Sequence, residues 1–363
     1  MTPTFRRRSL LGATAGLAVP LAPAFAPRAA RAQGAPLKAA WMYVGPVGDL
    51  GWSHQHDQSR LAVQRHFEGR VQTGFVENVA EGPDAERVLR SLAQAGNDLI
   101  FSTSFGFMNP CERVARAFPR VRFEQATGYK TLPNMAEYNA RFYEGRAVCG
   151  TIAGHVSRAG VAGYIASFPI PEVVMGINAF TSAARRVNPR LQTKVVWLNS
   201  WFDPGKEADA AKALLDQGAD VLAQHTDSPA PMQVAESRGA HAFGQSTDMS
   251  RFGPRAHLTA VVNEWAPYCI GRVQAALDGT WTTGSIWWGM KEGMVVISPY
   301  GPGVTPPAAA EADRVKAGIV AGTLHPFAGP VRDQKGTVRI ADGTAISDED
   351  LLKMNWYVEG VQA

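Results

Sequence analysis

The chain has 363 residues, with 36 Lys+Arg against 32 Asp+Glu and a formal net charge of +4. Five of the arginines and none of the acids lie in the first 32 residues, so the remaining 331 carry a formal net charge of −1. That balance excludes an extended basic surface for nucleic acid or for an anionic membrane, and the length suits two lobes of ordinary domain size.

The first 32 residues read as an export signal rather than as part of the fold. Thr4-Phe5-Arg6-Arg7-Arg8-Ser9-Leu10-Leu11 is a twin-arginine pattern, an Ala-rich apolar stretch follows, and Ala30-Arg31-Ala32 is a small-x-small cleavage site. The apolar stretch is short for a membrane span and holds Gly and Pro. No Cys follows the cleavage site, so no lipid anchor is indicated. The expected address is the periplasm, with cleavage near Ala32-Gln33.

A first strand is expected over 39–44, running into the Gly-rich turn 45–52, with Ser53 as the N-cap of a helix to about Phe67. Residues 72–104 then give strand, turn, amphipathic helix and strand. Ala85, Val88, Leu89 and Leu92 form its apolar stripe, Pro83 and Asp84 suit its first turn, and Gly96 its end. Strands are expected at 121–127 and 134–140, a helix over 144–157, a strand at 161–165 and a helix over 172–186. Residues 192–226 repeat the 72–104 block, Gly96-Asn97-Asp98-Leu99-Ile100 matching Gly218-Ala219-Asp220-Val221-Leu222. Two more strands are expected at 240–244 and 257–262, a helix after Trp265 to about Asp278, a strand at 293–298, a helix over 309–321 and a terminal helix over 347–361.

A repeated strand–helix–strand unit implies two similar α/β lobes, each with a parallel sheet covered on both faces. Ligands of such sheets bind beyond the carboxyl ends of the strands, and clefts between lobes are favoured sites. The loops so selected are 45–53, 102–109, 199–204, 225–231 and 245–249.

Two of these loops, in opposite lobes, carry Trp52 and Trp201. A large aromatic past a strand end either packs into the core or offers a face to a planar ligand, and this pair is read as ligand-facing. Asp49, Ser53, Ser104, Asp227, Asp248 and Asn263 supply polar partners for such a ring. Singly, each Asp also fits a loop cap or Asx-turn. The adjacent His56 and Asp57 do not face each other on a helix and make no dyad. The chain shows no zinc-type His/Cys spacing, nucleophile elbow, P-loop or dinucleotide fingerprint, so no catalytic residue, metal or cofactor is expected. Of the three Cys, at least one stays unpaired. Isolated buried thiols are the favoured state, with a Cys111–Cys149 bridge the alternative.

The segments 45–52, Ser200-Trp201-Phe202-Asp203-Pro204-Gly205-Lys206-Glu207 and Gln217-Gly218-Ala219-Asp220-Val221 resemble, in order, the basic membrane protein family of ABC-importer substrate-binding proteins, of the purine nucleoside receptor type. Leu258-Thr259-Ala260 and Pro326-Phe327-Ala328-Gly329-Pro330, followed by Asp333 and Gly336, extend the likeness over nearly the whole mature chain. The resemblance implies a type I periplasmic binding protein fold: two doubly wound parallel-sheet lobes joined by a three-strand hinge. It also implies a small-molecule ligand, an ABC permease as partner, and a monomer. The lobes are expected at 35–142 plus 266–291 and at 143–265 plus 292–363.

In that family two aromatics sandwich a purine while acidic and amide groups hold its edge and the ribose. The sandwich falls on Trp52 and Trp201. The loop after Asp220 becomes Thr226-Asp227-Ser228-Pro229, the acidic loop becomes Gly244-Gln245-Ser246-Thr247-Asp248, and a nucleoside-contacting Lys becomes Asn263. These changes point to a free nucleobase such as adenine or guanine ahead of a nucleoside, with riboflavin third. A periplasmic nucleoside-processing enzyme and a ligand sensor feeding a membrane receptor are the alternatives. The enzyme lacks the Asp cluster it would need, and fold does not separate the sensor from the transport receptor.

Overall fold

The computed structural model describes residues 35–363; the export signal expected at 1–32 lies outside them. The strands are β1 Leu37–Tyr43, β2 Val71–Val76, β3 Leu99–Thr103, β4 Arg122–Ala126, β5 Met135–Ala140, β6 Val161–Ala166, β7 Gln192–Trp197, β8 Val221–Gln224, β9 His241–Ser246, β10 His257–Asn263, β11 Ser285–Trp288, β12 Val295–Ile297, β13 Val331–Arg332, β14 Val338–Ile340 and β15 Val361–Gln362. The helices are α1 Gly51–His66, α2 Pro83–Gln94, α3 Met108–Ala117, α4 Phe142–Val156, α5 Pro171–Val187, α6 Pro204–Asp216, α7 Ala230–Arg238, α8 Ala266–Asp278, α9 Pro306–Val320 and the single turn α10 Asp348–Leu351.

The two sheets repeat one another. The first has the order β11-β5-β4-β3-β1-β2 and is parallel throughout. The second has the order β12-β10-β9-β8-β6-β7-β15, parallel except for β12 against β10. Stripped of edge strands, each reads 2-1-3-4-5, a doubly wound order with a switch point between its first and third strands. The chain passes between the sheets three times: from β5 to β6, from β10 to β11, and from β11 to β12.

The central strands β1, β3 and β8 are buried along nearly their whole length because both faces are covered. All seven residues of β1 except Lys38 are buried, and Trp41 stacks on Phe101 of β3 with ring centroids 4.3 Å apart. Helix α2 buries Ala85, Val88 and Leu89, as the stripe requires. Cys111, Cys149 and Cys269 are buried free thiols, and burial pushes each thiol up.

Two expectations fail for tertiary reasons. Ser53 does not cap α1: the helix begins at Gly51, its N-cap Leu50 has no side-chain bond, and the first N–H groups go to residues 175 and 196 positions away. The 347–361 segment is not one helix. After α10 it is drawn out by Asn178, whose amide donates to Trp356 O at 2.7 Å and accepts from Val358 N at 3.0 Å, and it ends as β15 on the second sheet.

Candidate ligand-binding site

Beyond the carboxyl ends of the strands, residues from both sheets close around one narrow cavity. Val44 follows β1, Ser104 and Phe105 follow β3, and Thr127 follows β4. Trp201 follows β7, His225 and Asp227 follow β8, and Gln245 is at the end of β9. Trp52 and Glu172 project from the first turns of α1 and α5. The cavity holds about 30 Å³ for water-sized occupants and about 400 Å³ counting its open mouth. The enclosed space is far below that of an occupied ligand site, about 300–1,000 Å³. A planar ring therefore enters only if the walls move apart.

Trp52 is held firmly. Its Nε1 donates to Thr103 O at 2.7 Å, and its ring packs edge-on against Trp265 (5.3 Å) and tilted against His56 (4.5 Å) and Phe142 (6.0 Å). Burial lowers His56 to about 3, so this support is a neutral ring. Trp201 is held more lightly, tilted on Phe168 at 5.0 Å, with Nε1 donating to Glu81 Oε1 at 3.2 Å. The same Glu81 oxygen accepts from Ser104 Oγ at 2.6 Å. Among the described residues the two tryptophans make ring contacts with other groups but not with each other.

Asp227 joins the two walls. Its backbone N–H donates to Trp201 O at 3.0 Å, and its carboxylate accepts the backbone N–H of Trp52 at 3.1 Å. Beside it, Thr247 Oγ1 accepts Gly51 N–H at 3.1 Å. A helix N-terminus attracts a carboxylate, so the second sheet caps a helix of the first. Gly51 is required here: its φ is +84°, and a Cβ would meet Asp227 O at 3.0 Å. Burial, with the Glu207 charge adding and the Trp52 N–H opposing, pushes Asp227 up to about 7.

The floor is polar. His225 Nε2 stands 3.5 Å from Glu172 Oε1, and burial holds His225 below its ordinary value. Glu172 Oε2 and His225 Nδ1 are buried with no partner among the described residues. Among the described residues, four that are not glycine have left-handed backbones: Asn78 (φ 56°), Thr127 (58°), Asn199 (51°) and Ser246 (61°). Thr127 lines the cavity, Ser246 follows Gln245, and Asn78 and Asn199 line its outer continuation past Trp201. Strain of this kind collects at binding sites.

Of the residues singled out from sequence, Trp52, Trp201, Ser104 and Asp227 meet in this cavity. The other four stand elsewhere. Ser53 is buried in α1, with Oγ accepting Gly45 N–H at 3.2 Å. Asp49 is ion-paired with Arg251 on an outer rim. Asp248 turns back on its own loop, accepting Ser250 N–H at 2.8 Å. Asn263 lies within β10; its carbonyl accepts from Gln55 Nε2 at 2.9 Å, and its buried amide has no partner in the protein. Sequence reasoning missed Glu172, His225, Gln245, Thr127, Phe105 and Val44. The strand-end rule was the available signal, since His225 and Gln245 open two of the loops it selects.

Two doubly wound lobes with three connections and a cavity at their strand ends define a type I periplasmic binding protein fold. Solved solute-binding proteins of ABC transporters share it. One from Aeropyrum pernix aligns with a TM-score of 0.68 over 87% of this chain and 95% of that one, at 18% identity. One from Conexibacter woesei aligns with a TM-score of 0.64 over 80% and 98%, at 21% identity.

The chain belongs to the Bmp family of PnrA-like ABC transporter substrate-binding proteins, whose profile matches residues 37–319. It is 55% identical to a purine-binding protein of Brucella abortus, over 90% of this chain and 93% of that protein. It is 38% identical to a candidate ABC transporter glucose-binding protein of Haloferax volcanii, over 91% and 81%. The family is one of binding proteins, generally exported, that serve ABC permeases, and not one of enzymes.

Proposed function

We propose that this chain delivers a purine to its ABC permease, holding the ring between Trp52 and Trp201 in the cavity between the lobes, and that it prefers a free nucleobase such as adenine or guanine to a nucleoside. The observation that carries this reading is the convergence of the two tryptophans, from opposite sheets, on one narrow cavity with Asp227, Glu172 and Gln245 around it. Stacking on an aromatic face contributes about 1–3 kcal/mol per base. The kinship with a purine-binding protein supports the ligand class. The placing of Asp248 and Asn263, where the ribose contacts of the family would fall, away from the lining supports a base.

In this reading the lobes run 35–142 plus 266–291 and 143–265 plus 292–363, and close by a hinge motion through the three connections. The first 32 residues direct export to the periplasm and are removed, and the receptor works as a monomer.

Mass spectrometry of the exported protein under native and then denaturing conditions, followed by titration with adenine, guanine, adenosine and glucose, tests this. The expected result is a released base and tighter binding of base than of nucleoside. Equal affinity for adenine and adenosine removes the nucleobase preference. Binding of glucose without any purine removes the purine reading.

A further inference from the structure

Arg146 of α4 is completely buried, and no carboxylate pairs with it among the described residues. One terminal nitrogen donates to Gln245 Oε1, while Nε and the other terminal nitrogen have no partner among the described residues. The guanidinium carbon sits 5.9 Å from the Tyr164 ring centroid. Around Gly176 the side chains converge: a Cβ there would meet Tyr164 OH at 3.0 Å, Arg146 Cγ at 3.6 Å and His225 Nδ1 at 3.8 Å. An unpaired buried guanidinium is costly and requires an explanation.

Its chemistry supplies one. A guanidinium has donors only, whereas an amide has a donor end and an acceptor end. Arg146 therefore fixes which way Gln245 points. The Oε1 end faces Arg146, and the Nε2 end has no hydrogen bond among the described residues and is left for the cavity that Gln245 lines. Glu172, on the same lining, offers an unpartnered carboxylate oxygen. The floor thus presents an oriented donor from Gln245 and an acceptor from Glu172, beside the unpartnered Nδ1 of His225.

We propose that Arg146 is a positioning residue for ligand selection: by locking the Gln245 amide it makes Nε2 the donor to a ring-nitrogen acceptor, while Glu172 accepts an N–H of the same heterocycle. This rests on the reading of the cavity as a purine site. Without Arg146 the amide can turn over, and the floor stops discriminating donor from acceptor.

The test titrates adenine and its 1-, 3- and 7-deaza analogues, each lacking one ring acceptor, into the wild type and into Gln245→Glu, Arg146→Met and Arg146→Lys. In the wild type one analogue should bind about tenfold or more weakly than adenine, the usual effect of leaving a buried donor unmatched. Gln245→Glu presents only acceptors to the cavity, so that gap should shrink below about threefold, with the other two gaps unchanged. Arg146→Met should do the same, and Arg146→Lys, another donor-only cation, should restore the gap. Gln245→Glu gives Arg146 a carboxylate and is expected to melt no lower than the wild type, so it carries the test if Arg146→Met does not fold. Unchanged gaps in a folded Gln245→Glu, or no deaza gap in the wild type, overturn the proposal while leaving a purine receptor. Failure of the wild type to bind any purine overturns it together with the proposed function.

Discussion

Trp52 gives its backbone N–H to the carboxylate of Asp227 at 3.1 Å, across the gap between the two sheets. Because Asp227 N–H is bonded to Trp201 O, one acidic residue ties together the backbones that carry both tryptophans. If the lobes close by the proposed hinge motion, this contact forms only when the walls are together and so reports closure.

It also makes closure sensitive to pH. Asp227 is pushed from its ordinary 3.8 up to about 7 in this structure, taken in the proposed hinge motion as the closed state, burial being the first cause. In an open form the group is solvated and titrates near its ordinary value. A carboxyl with a raised value in one state favours that state when protonated. The contribution to closing is therefore full below about pH 4 and is lost as pH rises through about 7. Affinity for a ligand captured by closure should fall between pH 5 and pH 8, by roughly ten- to a hundredfold at most. Asp227→Asn, neutral throughout, should flatten the profile. A profile identical in wild type and Asp227→Asn would show that this carboxyl does not titrate with closure.

The tryptophans should separate binding from stability. Trp201→Ala removes a lightly held ring and should weaken purine binding by tens-fold, with little change in the melting temperature of the empty protein. Trp52→Ala should weaken binding similarly but also lower that temperature, because Trp265, His56 and Phe142 lose a packing partner. Calorimetric titration and thermal melts read the two effects. Unchanged affinity in both variants would make the rings core residues.

The fold was legible because its repeat is local. The stripe of α2, the Gly96 and Gly218 endings and the apolar strands after them are short-range signals, and the two sheets they build share one order. What escaped depends on distance in the chain. The start of α1 is set by Asp227 and Thr247, so a local search found Ser53 instead. Within the selected loops, charge drew notice to Asp227 and Asp248, whereas His225 and Gln245 are ordinary core types until Glu172 and Arg146 are placed beside them. The end of the chain looked helical because Asn178, which holds it extended, lies far upstream.

Glu124 of β4 anchors the helix that returns to the first lobe. It is fully buried and accepts from Tyr268 OH, Arg272 Nε and Trp281 Nε1, each at 2.6 Å. Burial raises Glu124, and Arg272 is the largest opposing influence. Arg272→Met leaves the carboxyl without its cation and should cost up to about 3–5 kcal/mol. Without the cation the folded protein holds the carboxyl proton more tightly, so stability from this group is present at low pH and lost as pH rises. The melting deficit relative to wild type should be larger at pH 8 than at pH 5. Equal deficits would mean that the lost bonds, rather than the lost charge, set the cost.

Helices α4 and α5 pack closely enough to make two glycines irreplaceable and to give substitutions of opposite sign. A Cβ on Gly150 would meet Phe180 O at 2.1 Å, and one on Gly154 would meet Ala184 O at 2.6 Å. These neighbours are backbone atoms of α5, which cannot turn aside as a side chain can. Alanine ordinarily gains about 0.5–1 kcal/mol over glycine inside a helix. Overpacking a close helix contact costs about 1–3 kcal/mol. Gly150→Ala should therefore lower the melting temperature by several degrees and weaken purine binding, since α4 carries Arg146 beneath the cavity floor. Gly271→Ala in α8 is the matched control: no atom lies within 4 Å of its added Cβ, so only the propensity gain remains and the protein should melt slightly higher. If both variants melt higher, backbone propensity, rather than the α4–α5 contact, governs these positions.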